Sequence, residues 1–448
     1  MGHYSKIFKS YDIRGIVPDE LDETVAEAVG AAFARLTGAP SVVIMHDMRT
    51  SSPLLAEAFG RGVASQGADV VAGGLGSSDM LYYASGSLDI PGAMITASHN
   101  PPKYNGIKLC WPGAKPVGAD TGLAELRAIV ERGLPLGEGP DGTVTGQDLL
   151  ARYSSYLKSL VDLSGIRPLK VAVDAGNGMA GHTVPQMFHG LPITLVPLFF
   201  ELDGSFPNHE ANPIDPANVA DLQRAVLEHG ADVGLAFDGD ADRCFVVDER
   251  GEIVSPSVLT ALIAVRELAR EPGATVIHNL ITSRAVPELV TEHGGIPVRT
   301  RVGHSFIKQV MAETGAIFGG EHSAHYYFRE NFRADSGIIA ALMVLEQLSK
   351  SGLPLSELRK PYERYAQSGE INTRVDGSVD DVIERVAARY EDGMQERLDG
   401  LTVDMGDWWF NLRPSNTEPL LRLNLEALDR ESCDAHTAEV LATVRADA

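Results

Sequence analysis

Ala231-Asp232-Val233-Gly234-Leu235-Ala236-Phe237-Asp238-Gly239-Asp240-Ala241-Asp242-Arg243 is the stretch that decides the fold. Its first seven residues read as a buried strand. The rest is an acidic loop at the strand's end. A helix opens upstream at Pro216–Leu222, with proline at its start. Working outward, the same order of helix, strand and polar loop returns. Phe306–Met311 reads as a helix leading to the strand-like Gly315–Phe318. Ser41–Met45, Ala68–Ala72, Leu169–Val173 and Ile193–Leu198 read as further strands, and Leu54–Phe59 begins a helix. This alternation predicts α/β layers with mixed, mostly parallel sheets. The C-terminal part reads differently. Glu370–Val375 alternates like a half-exposed strand, a helical stretch runs from Val379 to Leu398, and strands follow at Trp408–Leu412 and Leu420–Leu425. That is an α+β module with antiparallel character. Boundaries near 150–165, 250–256 and 365–370 give domains at 1–153, 154–253, 254–367 and 368–448.

Composition narrows the function classes. The chain has 448 residues, 44% of them hydrophobic, enough for several cores. With 38 basic and 61 acidic residues, its net charge of −23 disfavours nucleic acid and anionic membranes as partners. Converging arginines can still make a local site for an anionic small molecule. Cys110, Cys244 and Cys433 are far apart and odd in number, so no disulfide framework or zinc spacing is expected. The N-terminus lacks the apolar core of a signal peptide, and no apolar run reaches membrane-spanning length. A cytoplasmic location is the expectation.

Four polar loops carry chemistry. Thr96-Ala97-Ser98-His99-Asn100-Pro101 follows the apolar Gly92–Ile95 and presents a hydroxyl able to carry an acyl or phosphoryl group. The alternative is an ordinary capped turn. In the second loop, Asp238, Asp240 and Asp242 alternate, so in an extended segment they share one side. Such repulsion is tolerable around a hard divalent cation, for which magnesium suits; a solvated acidic turn is the alternative. The loop also matches EF-hand ligand positions through Glu249, but Arg243 replaces the required glycine and strands flank it, so that reading fails. Gly176-Asn177-Gly178-Met179-Ala180-Gly181 fits a dinucleotide fingerprint, with Glu201 further on, or a tight packing turn. The third loop, Gly319–His325, brings Glu321, Ser323 and His325 together, groups suited to sugar hydroxyls. The fourth, Arg413-Pro414-Ser415-Asn416-Thr417-Glu418-Pro419, makes an anion nest to which Arg422 adds charge. Together they fit a phosphoserine, a neutralising cation, a sugar reader and a second phosphate site.

With Tyr11-Asp12-Ile13-Arg14-Gly15 and Asn105-Gly106-Ile107-Lys108 added, six ordered motifs resemble the α-D-phosphohexomutase superfamily nearly end to end. The resemblance implies three related α/β domains and a smaller C-terminal one around a central cleft. It implies that Ser98 is phosphorylated in the active form. It implies Mg²⁺ held by Ser98 phosphate, Asp238, Asp240 and Asp242. The implied reaction moves phosphate between O1 and O6 of a hexose through a hexose 1,6-bisphosphate. Lys108 becomes the candidate for proton transfer, with His99, Arg14 and Arg243 close by; a catalytic lysine needs its pKa lowered. Tyr11 and His304 join the substrate-binding set. The run from Glu321 to Arg329, then Asp335-Ser336-Gly337, looks like the phosphomannomutase and phosphomannomutase/phosphoglucomutase branch. His322 stands where methionine is common, and Ala324 where glycine is frequent. Asn279–Thr282 lacks a lysine that some dual-specificity members carry nearby.

The leading expectation is therefore a phosphomannomutase with some glucose activity, acting as a monomer or weak homo-oligomer. Phosphoglucomutase and phosphoglucosamine mutase are the runners-up. An NAD-dependent dehydrogenase built on Gly176–Gly181 leaves the Asp238 and Arg413 loops unexplained. A non-catalytic sugar-phosphate binder has no use for Ser98, Lys108 and three aspartates together.

Overall fold

The structure, a computed structural model, describes residues 4–134, 140–375, 378–414 and 420–446. The chain forms two compact units. One comprises Met1–Ser255 with Ser323–Leu358, the other Pro256–His322 with Arg359–Ala448. Among the described residues, no single helix is long and apolar enough to cross a membrane. The three cysteines are buried and lie outside any disulfide.

The first unit holds two mixed sheets. In one, Ser41–His46 lies parallel to both Asp69–Leu75 and Gly92–Ile95. Val42, Val43, Ile44 and Met45 are all buried, as a strand covered on both faces requires. The helices Glu23–Thr37 and Ser52–Ala64 cross tightly on it. A Cβ at Gly30 would lie 2.1 Å from the Phe59 carbonyl oxygen, and one at Gly62 1.9 Å from that of Glu27. Only glycine permits this backbone approach. Gly92–Ile95 then pairs antiparallel with Tyr104–Trp111, placing Met94 opposite Lys108 and Ile95 opposite Ile107. That register brings Lys108 beside the loop carrying Ser98. In the other sheet, Val233–Phe237 runs parallel to Leu169–Asp174 and antiparallel to Cys244–Asp248. The acidic loop joins those antiparallel strands, so no helices flank it and the EF-hand is excluded. The Gly176–Gly181 segment is a packing turn. A Cβ at Gly178 would meet the Gly239 carbonyl oxygen at 2.7 Å, and one at Gly181 that of Phe200 at 2.3 Å.

The second unit contains the parallel strands Ile296–Thr300, Thr275–Asn279 and Phe318–Gly320. It also contains an antiparallel sheet ordered Ala366–Arg374, Leu420–Ala427, Trp408–Pro414, Leu401–Asp404 and Met394–Glu396. The helix expected from Val379 to Leu398 stops at Arg389, and Met394–Glu396 is an edge strand. Gly393 explains the break: a Cβ there would lie 2.6 Å from Met405 Sδ and from Val403 Cγ1, so the chain turns close against the sheet.

Candidate active site

In the first unit, Ser98 Oγ donates to Asp238 Oδ2 at 2.8 Å and lies 3.1 Å from His99 Nδ1. Ser98 is buried and takes a left-handed backbone, φ 50°. Asp238, Asp240 and Asp242 converge with ligand oxygens within 4.8 Å of one another, all buried. They do not lie along an extended segment, as the alternation suggested. The loop is a tight turn in which Ala241 N donates to Asp238 O at 3.1 Å and Ala241 itself has φ 58°. The turn gathers the carboxylates more closely than a strand would.

Their counter-charges come from two directions. Lys108 Nζ reaches Asp240 Oδ2 at 2.6 Å and Asp242 Oδ2 at 2.7 Å. Arg243 Nε donates to Asp238 Oδ2 at 2.9 Å. Burial, only partly offset by Arg243, pushes Asp238 up to about 7. Asp240 is buried too, but Lys108 and the hydroxyls of Ser78 and Ser98 hold it well below the carboxylate range. Burial would lower Lys108, yet the pull of Asp240 and Asp242 wins and raises it well above an ordinary lysine. The lowering expected from the sequence is reversed, because carboxylates rather than cations are its nearest charged neighbours. Burial, with Arg243 and Arg14 nearby, pushes His99 well below 6.5, so its imidazole is neutral. Arg14 bridges Asp12 and Asn100, which ties it to the serine loop. Tyr11 is half-buried just ahead of that arginine's strand, Ile13–Ile16.

Ser323 and His325 also belong to the first unit. Ser323 Oγ lies 2.9 Å from His325 Nδ1, and His325 Nε2 lies 3.7 Å from Asp242 Oδ1. Two neighbours were not among the expected site residues, although Asp335 belongs to the branch motif Asp335-Ser336-Gly337. Ser78 Oγ donates to Asp240 Oδ2 at 2.5 Å and accepts from Lys108 at 3.2 Å. Buried Asp335 shares a cluster with Asp242 and His325. Ser78 follows the strand Asp69–Leu75, so the strand-end rule that found the other loops points to it as well.

In the second unit, buried Glu321 accepts from Asn279 Nδ2 at 3.1 Å and from Gly303 N at 3.2 Å. Thr282 Oγ1 donates to Asn279 Oδ1 at 2.7 Å, which fixes the amide that holds Glu321. His304 opens the helix His304–Thr314 immediately after Gly303. Arg413 donates to Glu370 Oε2 at 2.8 Å, and Arg422 reaches Glu370 Oε1 at 3.2 Å. One carboxylate therefore orients both arginines. Ser415, Asn416 and Thr417 lie outside the described residues.

Oxygen-only donors in a buried cluster suit a hard divalent cation. Asp240 Oδ1 and Asp242 Oδ1 are buried without a hydrogen-bond partner, so the cluster has lone pairs to give one. A serine hydroxyl against such a cluster, with a lysine and two arginines beside it, defines a centre able to carry and neutralise a phosphoryl group.

Comparison with known proteins agrees with that class. Family models for phosphoglucomutase/phosphomannomutase match along the chain: alpha/beta/alpha domain I over 5–134, domain II over 151–251, domain III over 256–365 and the C-terminal domain over 370–443. A Xanthomonas campestris pv. campestris protein described as phosphohexose mutases is 42% identical over 97% of this chain and 98% of its own length. An Escherichia coli phosphomannomutase is 38% identical over 98% of this chain and 99% of its own. The crystal structure of a phosphoglucomutase/phosphomannomutase family protein from Burkholderia thailandensis is 31% identical. It superimposes with a TM-score of 0.88, covering 99% of this chain and 98% of that one. The chain belongs to the phosphoglucomutase/phosphomannomutase family: it is a phosphohexomutase, an enzyme that transfers phosphate within a sugar, with three α/β/α domains and a C-terminal domain.

Proposed function

We propose that this protein is a phosphomannomutase interconverting mannose 6-phosphate and mannose 1-phosphate, with weaker action on glucose phosphates. The observation that carries the reading is Ser98 Oγ seated 2.8 Å from Asp238, beside Lys108 and the other two aspartates. Full-length likeness to relatives named phosphomannomutase supports mannose as the sugar. In the first transfer, the bond from Ser98 Oγ to phosphorus breaks as one forms to the free sugar hydroxyl, giving the 1,6-bisphosphate. Once Lys108 has released its own proton to solvent, its neutral amine takes the hydroxyl proton. In the second, the other phosphoryl group returns to Ser98 and Lys108 gives the proton to the freed sugar oxygen. Arg14 and Arg243 face the developing charge. Asp238, Asp240, Asp242 and the Ser98 phosphate would hold Mg²⁺, which would neutralise the phosphoryl oxygens and offset the carboxylate charge that keeps Lys108 protonated. Glu321, Ser323 and His325 are the groups for sugar hydroxyls; Arg413 and Arg422, with Ser415, Asn416 and Thr417, suit the second phosphate; Tyr11 and His304 complete the set. The enzyme would act in the cytoplasm, as a monomer or weak homo-oligomer.

The test is side-by-side kcat/KM on the 1-phosphates of mannose, glucose and glucosamine, with hexose 1,6-bisphosphate present. We expect mannose to lead, and activity to vanish on exhaustive chelation and return with Mg²⁺. A lead for glucosamine, or full activity after chelation, overturns the respective part.

A further inference from the structure

Ser98 is not glycine, yet its backbone is left-handed, a conformation that a side-chain-bearing residue adopts only at a steric cost. Such strain persists only where surrounding contacts over-determine it. Those contacts trace to one buried side chain, Arg49, which is 1% exposed. Its Nη2 donates to the carbonyls of Ser98 at 2.7 Å and Asn100 at 2.6 Å. Its Nη1 donates to those of Pro101 at 3.1 Å and Tyr104 at 3.0 Å. Four carbonyls of a single loop thus converge on one guanidinium fork.

The fork is itself fixed. Its Nε lies 3.2 Å from Asp47 Oδ2, and the same oxygen accepts from Thr96 Oγ1 at 2.7 Å. Thr96 Oγ1 in turn accepts from Ser98 N at 3.0 Å. Both backbone polar groups of Ser98 are therefore held by one network rooted in Asp47 and Arg49. Phe206 covers the guanidinium, with its ring centre 5.1 Å away. A Cβ at Gly204 would lie 2.5 Å from Arg49 Cα, so that turn closes directly on the arginine.

We infer that Arg49 is a positioning residue for phosphoryl transfer: it clamps the loop 98–104 so that Ser98 Oγ stays aimed at the carboxylate cluster. This rests on the reading of Ser98 as the phosphoryl carrier. Lysine cannot substitute, because one ammonium cannot span four carbonyls in a planar fork.

The experiment loads wild type, Arg49→Lys and Thr96→Val from glucose 1,6-bisphosphate and measures the phosphorylated fraction of each by intact mass. Single-turnover transfer to mannose 6-phosphate is then followed per loaded serine, which removes any loss of folded protein from the comparison. We expect Arg49→Lys to slow transfer about 100-fold, the scale of a misplaced reacting group, with the half-saturating substrate concentration nearly unchanged. Thr96→Val, nearly isosteric, removes both the acceptor of the Ser98 N–H and the donor to Asp47, leaves the Arg49 fork in place, and is expected to slow transfer about tenfold. Wild-type rates per loaded serine in both variants overturn the clamp. Failure of wild type itself to load overturns the carrier reading, and the clamp with it.

Discussion

At the scale of single residues, burial decides which charges the protein can use. Lys108 was recognisable from its motif, but its state was not. That depends on Asp240 and Asp242, which lie far along the chain and meet it only in the fold. Arg49 was invisible for the same reason: its partners are backbone carbonyls, which have no sequence signature. His278 gives a residue-scale prediction. Burial lowers it from 6.5 to about 4. As pH falls below 6.5 the unfolded chain takes up a proton, while folded His278 stays neutral until about 4. The unfolded state then binds more protons, so this histidine removes stability as pH drops through that window. The full loss is about 3 kcal/mol and is complete below the folded value. Urea midpoints of wild type and His278→Gln, compared from pH 7 to pH 4, should diverge in the variant's favour as pH falls. A constant difference would remove His278 as a titrating group.

At the scale of elements, strand ends do the positioning. The rule that polar loops at strand ends carry the chemistry located the Ser98, Asp238 and Glu321 loops, because alternation and apolar runs are local signals. Local signals also misled. Alternating aspartates suggested an extended segment, but the antiparallel return of Cys244–Asp248 demands a turn there. The long C-terminal helix lost its end to an edge strand, because pairing with Leu401–Asp404 outweighs helical propensity. Gly239 makes the cost of such turns testable. A Cβ there would sit 2.4 Å from the Ser98 carbonyl oxygen, the same atom Arg49 holds. Gly239→Ala should therefore force the acidic loop and the serine loop apart. We expect kcat to fall about 100-fold, with retained far-UV circular dichroism. Near-wild-type turnover would show that the two loops tolerate separation.

At the scale of the whole molecule, the net charge of −23 coexists with an anionic substrate because positive groups are few and placed. Lys108, Arg14 and Arg243 gather around the serine in one unit, while Arg413 and Arg422 share Glu370 in the other. The sequence made the order of motifs legible along its full length; it did not reveal which residues hold those motifs in place. On the proposed reading, Ser98 is a phosphate carrier that begins and ends each cycle phosphorylated. Intact mass and peptide mapping after incubation with glucose 1,6-bisphosphate and Mg²⁺ test it most directly. A carrier serine gains one phosphoryl group, located on Ser98, lost on addition of excess mannose 6-phosphate and absent from Ser98→Ala. An active enzyme that gains no phosphate, or gains it elsewhere, would contradict it.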